Sequence, residues 1–132
     1  MKHGLHALFV MSALALGFGT AHASTQVLDA VEEINTGICL LVSQGAYTAA
    51  VERQAGTPKK QAQKVLEKEL KTVEKNFSDK QFVRSLQSIW LSGLDIVYQA
   101  PIQQTQADKQ AFIEEVVSAS LMACLDDMES GF

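Results

Sequence analysis

Few residues in this chain are of a type that does chemistry. They are two cysteines, Cys39 and Cys124, three histidines, His3, His6 and His22, and three adjacent carboxylate pairs, Glu32-Glu33, Glu114-Glu115 and Asp126-Asp127. All three histidines fall in the first 22 residues, so the rest of the chain holds no Ser-His-Asp or Cys-His arrangement. A serine–lysine pair could stand in for histidine, but the S-x-x-K spacing is absent. Adjacent carboxylates on a helix point about 100° apart and do not converge on one ligand. Asp126, Asp127 and Glu129 lack the full calcium-loop pattern and read as a solvated acidic end. Zinc would need cysteine and histidine together. The expectation is therefore a chain with no catalytic residue, no metal and no cofactor. Asp95, between Leu94 and Ile96 and near Trp90, reads as solvated or salt-bridged, the alternative being a partly buried carboxylate with a raised pKa.

How the two cysteines are read depends on the compartment. Lys2 starts the chain, an apolar run from Leu5 to Phe18 follows, and Ala21-His22-Ala23 places small residues where a signal peptidase needs them. Residues 1–23 read as a cleavable signal peptide cut after Ala23, with a cut after Ala21 as the alternative; no cysteine follows to make a lipoprotein. No second apolar run comes near the roughly 20 residues of a bilayer span. The expected location is the periplasm, with no stable membrane insertion. In an exported chain two cysteines imply a disulfide, Cys39 to Cys124, intermolecular pairing and free thiols being the alternatives. No C-x-x-C redox pair is present.

The remaining chain, residues 24–132, suits one domain. Its apolar periodicity predicts an all-α fold of four helices, the first and last joined by the disulfide. The first runs from about Thr25 to Ala55, with Val27, Val31, Ile34, Ile38, Leu41, Val42, Ala46 and Ala49 on one face, a bend or break near Gly45 and Gly56 ending it. Thr57 caps the second and Pro58 opens it; Leu66, Leu70, Val73 and Phe77 form its buried stripe. Ser78 and Gln81 read as a capping box for the third, whose inward residues are Phe82, Leu86, Ile89, Trp90, Gly93, Leu94 and Val97. Pro101 stops it, and Gln99 to Gln104 is a loop. Thr105 starts the fourth, with Phe112, Ile113, Val116, Val117, Ser120, Leu121 and Cys124 inward. A bridge between Cys39 and Cys124 requires the first and last helices to lie side by side, with Cα atoms within about 7 Å.

Charge is segregated along the chain. Residues 53–84 hold nine positive charges against four negative, while residues 24–52 and 85–132 are acidic. Lys60, Lys64, Lys68, Lys71 and Lys75 fall within about 80° of one another, opposite the apolar stripe. Glu67 and Glu74 border them and could pair with Lys71 and Lys75. Such a face is what a solvated amphipathic helix shows; functionally it would be a docking face for lipid headgroups or an acidic protein. Tyr98, beside the glutamine-rich loop, is a second candidate contact. The acidic total argues against nucleic acid.

The layout resembles a type of small exported helical protein from Gram-negative proteobacteria. The segments carrying the resemblance are Cys39 in an apolar helix, Arg53-Gln54-Ala55-Gly56 before a lysine-rich helix, Val97-Tyr98-Gln99-Ala100-Pro101, and the late Cys124. It spans most of residues 24–132 and implies export and helicity, with no activity attached. In size, export and helicity the chain is also similar to periplasmic immunity proteins and to acid-stress chaperones. The expected function is thus a non-catalytic periplasmic protein-binding domain, such as an immunity or inhibitor protein. The alternatives are an acid-stress chaperone, whose carboxylates would lose charge below about pH 4, and a small-molecule carrier.

Overall fold

The computed structural model describes residues 22–130, with side-chain surroundings from residue 29 onward. The export signal expected over residues 1–23 lies outside this range except for its last two residues. The described chain is all helical: α1 (His22–Gln54), α2 (Lys59–Asn76), α3 (Lys80–Val97) and α4 (Gln106–Ser130). It divides into two units at Asn35/Thr36.

The described part of the first unit is the opening of α1. Val31 and Ile34, expected to face inward, are 50% and 62% exposed. Within its own unit this segment is a single described helix, and a lone helix has no second element against which to bury a stripe.

The second unit holds the bundle. Its core joins Ala49 and Ala50 of α1, Ala62, Leu66, Leu70 and Val73 of α2, and Val83, Leu86, Trp90, Leu94 and Val97 of α3. The buried positions on α2 and α3 recur at three- and four-residue steps, which is why both segments are helices. Phe77, expected in the α2 stripe, is 42% exposed. The helix ends at Asn76 and Phe77 is extended (φ −127°, ψ 121°), so the periodicity no longer aims it inward. Its ring rests on Phe82, 5.0 Å between centroids. Ile89 is also displaced from its expected place. The α3 face centres on Val83, Leu86, Trp90, Leu94 and Val97, one step round the helix, and leaves Ile89 at the edge, 49% exposed.

α1 is unbroken at Gly45, where a bend or break was expected. The glycine has a different use: a Cβ there would overlap the indole of Trp90, which lies across the helix. The Trp90 ring is buried, and its Nε1–H donates to the Leu41 carbonyl at 3.2 Å. A buried indole needs such an acceptor. Buried Thr48 donates to both carboxylate oxygens of Glu69 at 2.9 and 3.0 Å, tying α1 to α2. By length and hydropathy Asp29–Gln54 could cross a bilayer, contrary to the expectation that no further stretch comes near doing so; 44% of its apolar window is buried in the fold.

The helix ends match the sequence in part. Gly56 takes φ +81°, the left-handed conformation expected at a helix C-terminus. Thr105 caps α4, its Oγ1 accepting from the Asp108 amide at 3.0 Å. Two caps differ from expectation. Pro58 occupies the cap position of α2, and its carbonyl accepts from the Gln61 and Ala62 amides; Thr57 makes no side-chain cap. Asp79, not Ser78, caps α3, its Oδ1 accepting from Gln81 and Phe82 amides. A carboxylate beats a hydroxyl there because it also faces the positive end of the helix dipole.

Cys39 and Cys124 form a disulfide with Cα atoms 5.5 Å apart, joining α1 to α4. α4 itself buries no residue. Its expected inward residues are all only half-buried: Phe112, Ile113 and Val116 pack on the core, while Val117, Ser120, Leu121 and Cys124 remain partly open.

Candidate functional site

Because α4 closes incompletely, a trough runs between α1, α3 and α4. Its larger part, about 510 Å³, is walled by Ile38 and Val42 of α1, by Phe82, Ser85, Leu86 and Ile89 of α3, and by Ser120, Ala123, Cys124, Asp127 and Met128 of α4. A second part of about 330 Å³ shares Val42, Ile89 and Ser120 and adds Ala46, Ser88, Trp90, Ser92, Gly93 and Ile96. Along α3 the lining runs from Phe82 to Ile96, roughly 21 Å at 1.5 Å per residue. The disulfide lies in its wall.

The sequence explains why the trough stays open. From α4 the facing residues include Ser120 and Ala123, too short to fill the space. From α3, Gly93 adds no side chain and Ile89 stands at the rim. The lining is mainly apolar; its polar groups are the hydroxyls of Ser85, Ser88, Ser92 and Ser120 and, in the larger part, the carboxylate of Asp127. Such a surface holds apolar groups by removing them from water, with the few polar groups fixing orientation. None of the four lining serines stands in a side-chain hydrogen bond that would activate it as a nucleophile, and no histidine lines the space.

The residues singled out from the sequence lie elsewhere. Lys60, Lys64, Lys68, Lys71 and Lys75 are all exposed on α2 and none lines the trough. The expected pairs from Glu67 and Glu74 to these lysines do not form. Glu67 accepts from the Gln63 amide at 3.0 Å, and the one ion pair among the described residues is Lys59 with Asp95. Asp95 is therefore the salt-bridged, solvated carboxylate its position suggested. Among the described residues no three His, Cys, Asp or Glu side chains converge as a metal site, Asp126, Asp127 and Glu129 included.

Tyr98 belongs to a clamp. Its hydroxyl donates to the Thr57 carbonyl at 2.7 Å, and the Arg53 guanidinium lies 5.2 Å from its ring centre. Arg53 Nε donates to the Ala100 carbonyl at 2.9 Å. Gln54, buried, donates to the Pro101 carbonyl and accepts from the Gln103 amide at 2.8 Å. The two segments Arg53–Gly56 and Val97–Pro101, prominent in the sequence, thus grip each other and fix the exit from α3. Burial raises the Tyr98 pKa above its ordinary value; the Glu52 carboxylate adds to this and Arg53 opposes it.

The sequence does not reveal the trough because its apolar lining residues, such as Ile38, Val42, Leu86 and Ile89, read as core. One signal was present: the apolar residues of α3 span Phe82 to Ile96 over more than one face, so a single contact could not cover them all.

Compared with protein families, with curated proteins and with solved structures, the chain matches none. The disulfide points to an oxidising, exported location; beyond the fold, function must be argued from the trough and the surface.

Proposed function

We propose that this is a non-catalytic binding protein of the periplasm, its leader removed after Ala23, which holds an apolar helical segment of another exported protein in the α1/α3/α4 trough. An immunity or inhibitor protein is one form this would take. The observation that carries the reading is the trough itself: an elongated apolar channel rimmed by half-exposed Ile89 and open along its length, beside a core that is otherwise well packed. Amphipathic helices bind in such grooves through apolar residues at three- and four-residue steps. A bound helix would cover Ile89 and Ile96 together. The test compares wild-type protein with Ile89→Arg as bait for the cell-envelope fraction. Ile89 is half exposed, so the variant should fold. A saturable partner retained by wild type and lost with Ile89→Arg supports the reading; no retained partner, or one indifferent to the change, ends it.

A second reading has its own support. A volume of about 510 Å³ lies within the range of small-molecule sites. A carrier of an apolar small molecule would keep that ligand through purification, and native mass spectrometry would show the added mass. A bare polypeptide mass would remove this reading.

A further inference from the structure

We propose that the lysine face of α2, together with the α2–α3 turn, docks the protein on an anionic lipid surface. This goes beyond the trough and does not depend on what the trough binds.

Three observations converge. First, Lys60, Lys64, Lys68, Lys71 and Lys75 form one exposed stripe about 22 Å long, and none of them stands in an ion pair. Of the three α2 carboxylates, exposed Glu74 borders the stripe and the other two are engaged by neighbours. Glu69 faces α1 and binds Thr48, and Glu67 binds Gln63. Second, the stripe continues round the turn. Lys80 and Arg84, one turn apart on α3, line a polar cleft of about 600 Å³ with Phe77, Ser78 and Glu74. Asp79 in the same turn is occupied in capping α3, which leaves Glu74 as the carboxylate in the cleft. Third, Phe77 stands among these cations with its ring part-exposed, held by Phe82. An apolar ring surrounded by cations on a turn matches the boundary between headgroups and acyl chains.

The choice of cation separates a lipid surface from an acidic protein. Protein interfaces favour arginine, whose planar fork fixes carboxylates in one geometry, and they are depleted in lysine. Here every stripe residue is lysine, a point charge on a flexible stem, and only Arg84 could fork. Lysines answer to a field rather than to a shape. Charge elsewhere on the protein is acidic, but screening beyond about 10 Å at moderate salt leaves the stripe to act locally.

The test uses protein recovered from the exported fraction, its N-terminus checked by intact mass, in sedimentation with vesicles. One set is phosphatidylcholine with about 30% phosphatidylglycerol and the other is phosphatidylcholine alone. Binding is expected to the anionic vesicles only, and is expected to vanish at about 0.5 M NaCl. Each Lys→Gln change should weaken it about fivefold, and K64Q/K68Q/K71Q/K75Q by about two orders of magnitude or more. Phe77→Ala, with charge unchanged, should weaken it roughly fivefold. All five positions are exposed, and circular dichroism confirms the fold of each variant. Equal binding to neutral vesicles would show insertion of an apolar segment and overturn the proposal. So would no binding at all, or a quadruple variant that binds as wild type. Tighter binding to soluble polyglutamate than to vesicles would assign the stripe to an acidic protein instead. None of these outcomes bears on Ile89→Arg, so the trough is judged separately.

Discussion

The α2–α3 pair and α4 belong to one bundle, yet they are held by different means. Leu66, Leu70 and Val73 of α2 interlock with Val83, Leu86, Trp90 and Leu94 of α3, all buried. On α4 the same kinds of residue, Phe112, Ile113, Val116 and Leu121, reach only half burial. What α4 has instead is a covalent bond at Cys124 and a fixed starting point, set by the clamp at Arg53, Gln54 and Tyr98. Apolar content alone did not decide which helix became core. Depth of packing did, and a helix that is tethered and packs on the core only through part-buried Phe112, Ile113 and Val116 leaves room for a trough. The difference is open to direct attack.

The largest effect should come from the tether. The bond closes a separation of 85 residues, which in the chain-entropy account stabilises by about 4–5 kcal/mol. Cys39→Ser/Cys124→Ser should therefore lower the urea midpoint sharply. In hydrogen exchange the α4 amides should lose protection well before those of α2 and α3, because α4 keeps little else. If the four helices lose protection together, α4 is not the weakly held element, and the comparison fails.

Next comes core against trough wall. Leu66→Ala should cost about 2–5 kcal/mol, since Leu66 is 1% exposed and would leave a cavity. Leu121→Ala, on half-buried α4, should cost well under half as much. Equal losses in urea unfolding would mean that α4 is packed as tightly as the hairpin. Gly45→Ala sits between these. The added methyl must push Trp90 aside, for about 1–3 kcal/mol, and the Trp90 fluorescence should shift to the red as the ring leaves its site. An unchanged spectrum and midpoint would show that the indole does not press on that glycine.

How much of this could be read from residues alone follows the same division. The helices were legible because their apolar steps are regular; so were the stop at Gly56, the Thr105 cap, the buried Trp90 and the joining of Cys39 to Cys124. Each rests on a local rule or on simple counting. The trough was not legible. It depends on how far α4 stands from α3, which small residues such as Ser120, Ala123 and Gly93 decide together across three helices. Gly45 shows a related limit: its cost to the helix is local and visible, but the group it makes room for is an indole 45 residues away. Phe77 and Ile89 show the limit of periodicity, which continues past a helix end and cannot choose between adjacent faces. The lysine stripe was fully legible as a surface, since exposure of α2 follows from the opposite face being core.

The smallest effect belongs to the clamp that sets where α4 begins. Tyr98→Phe removes one hydrogen bond, 2.7 Å to the Thr57 carbonyl, and should cost about 1 kcal/mol. Its pH dependence identifies the cause. Burial, aided by Glu52, raises the Tyr98 pKa, so the folded protein holds the phenol proton more tightly than the unfolded chain does. The stability this gives is complete below the ordinary tyrosine pKa near 10 and is lost as pH rises from there through the higher value in the folded protein. Wild type should therefore lose stability relative to Tyr98→Phe as pH rises above about 10, with the gap between the two narrowing. Lysine titration in the same range is common to both and cancels in the difference. A constant gap between the two urea midpoints across that range would show that the hydroxyl is not buried in the clamp, and that α4 begins from a looser exit than the hydrogen bonds at Ala100, Pro101 and Gln103 describe.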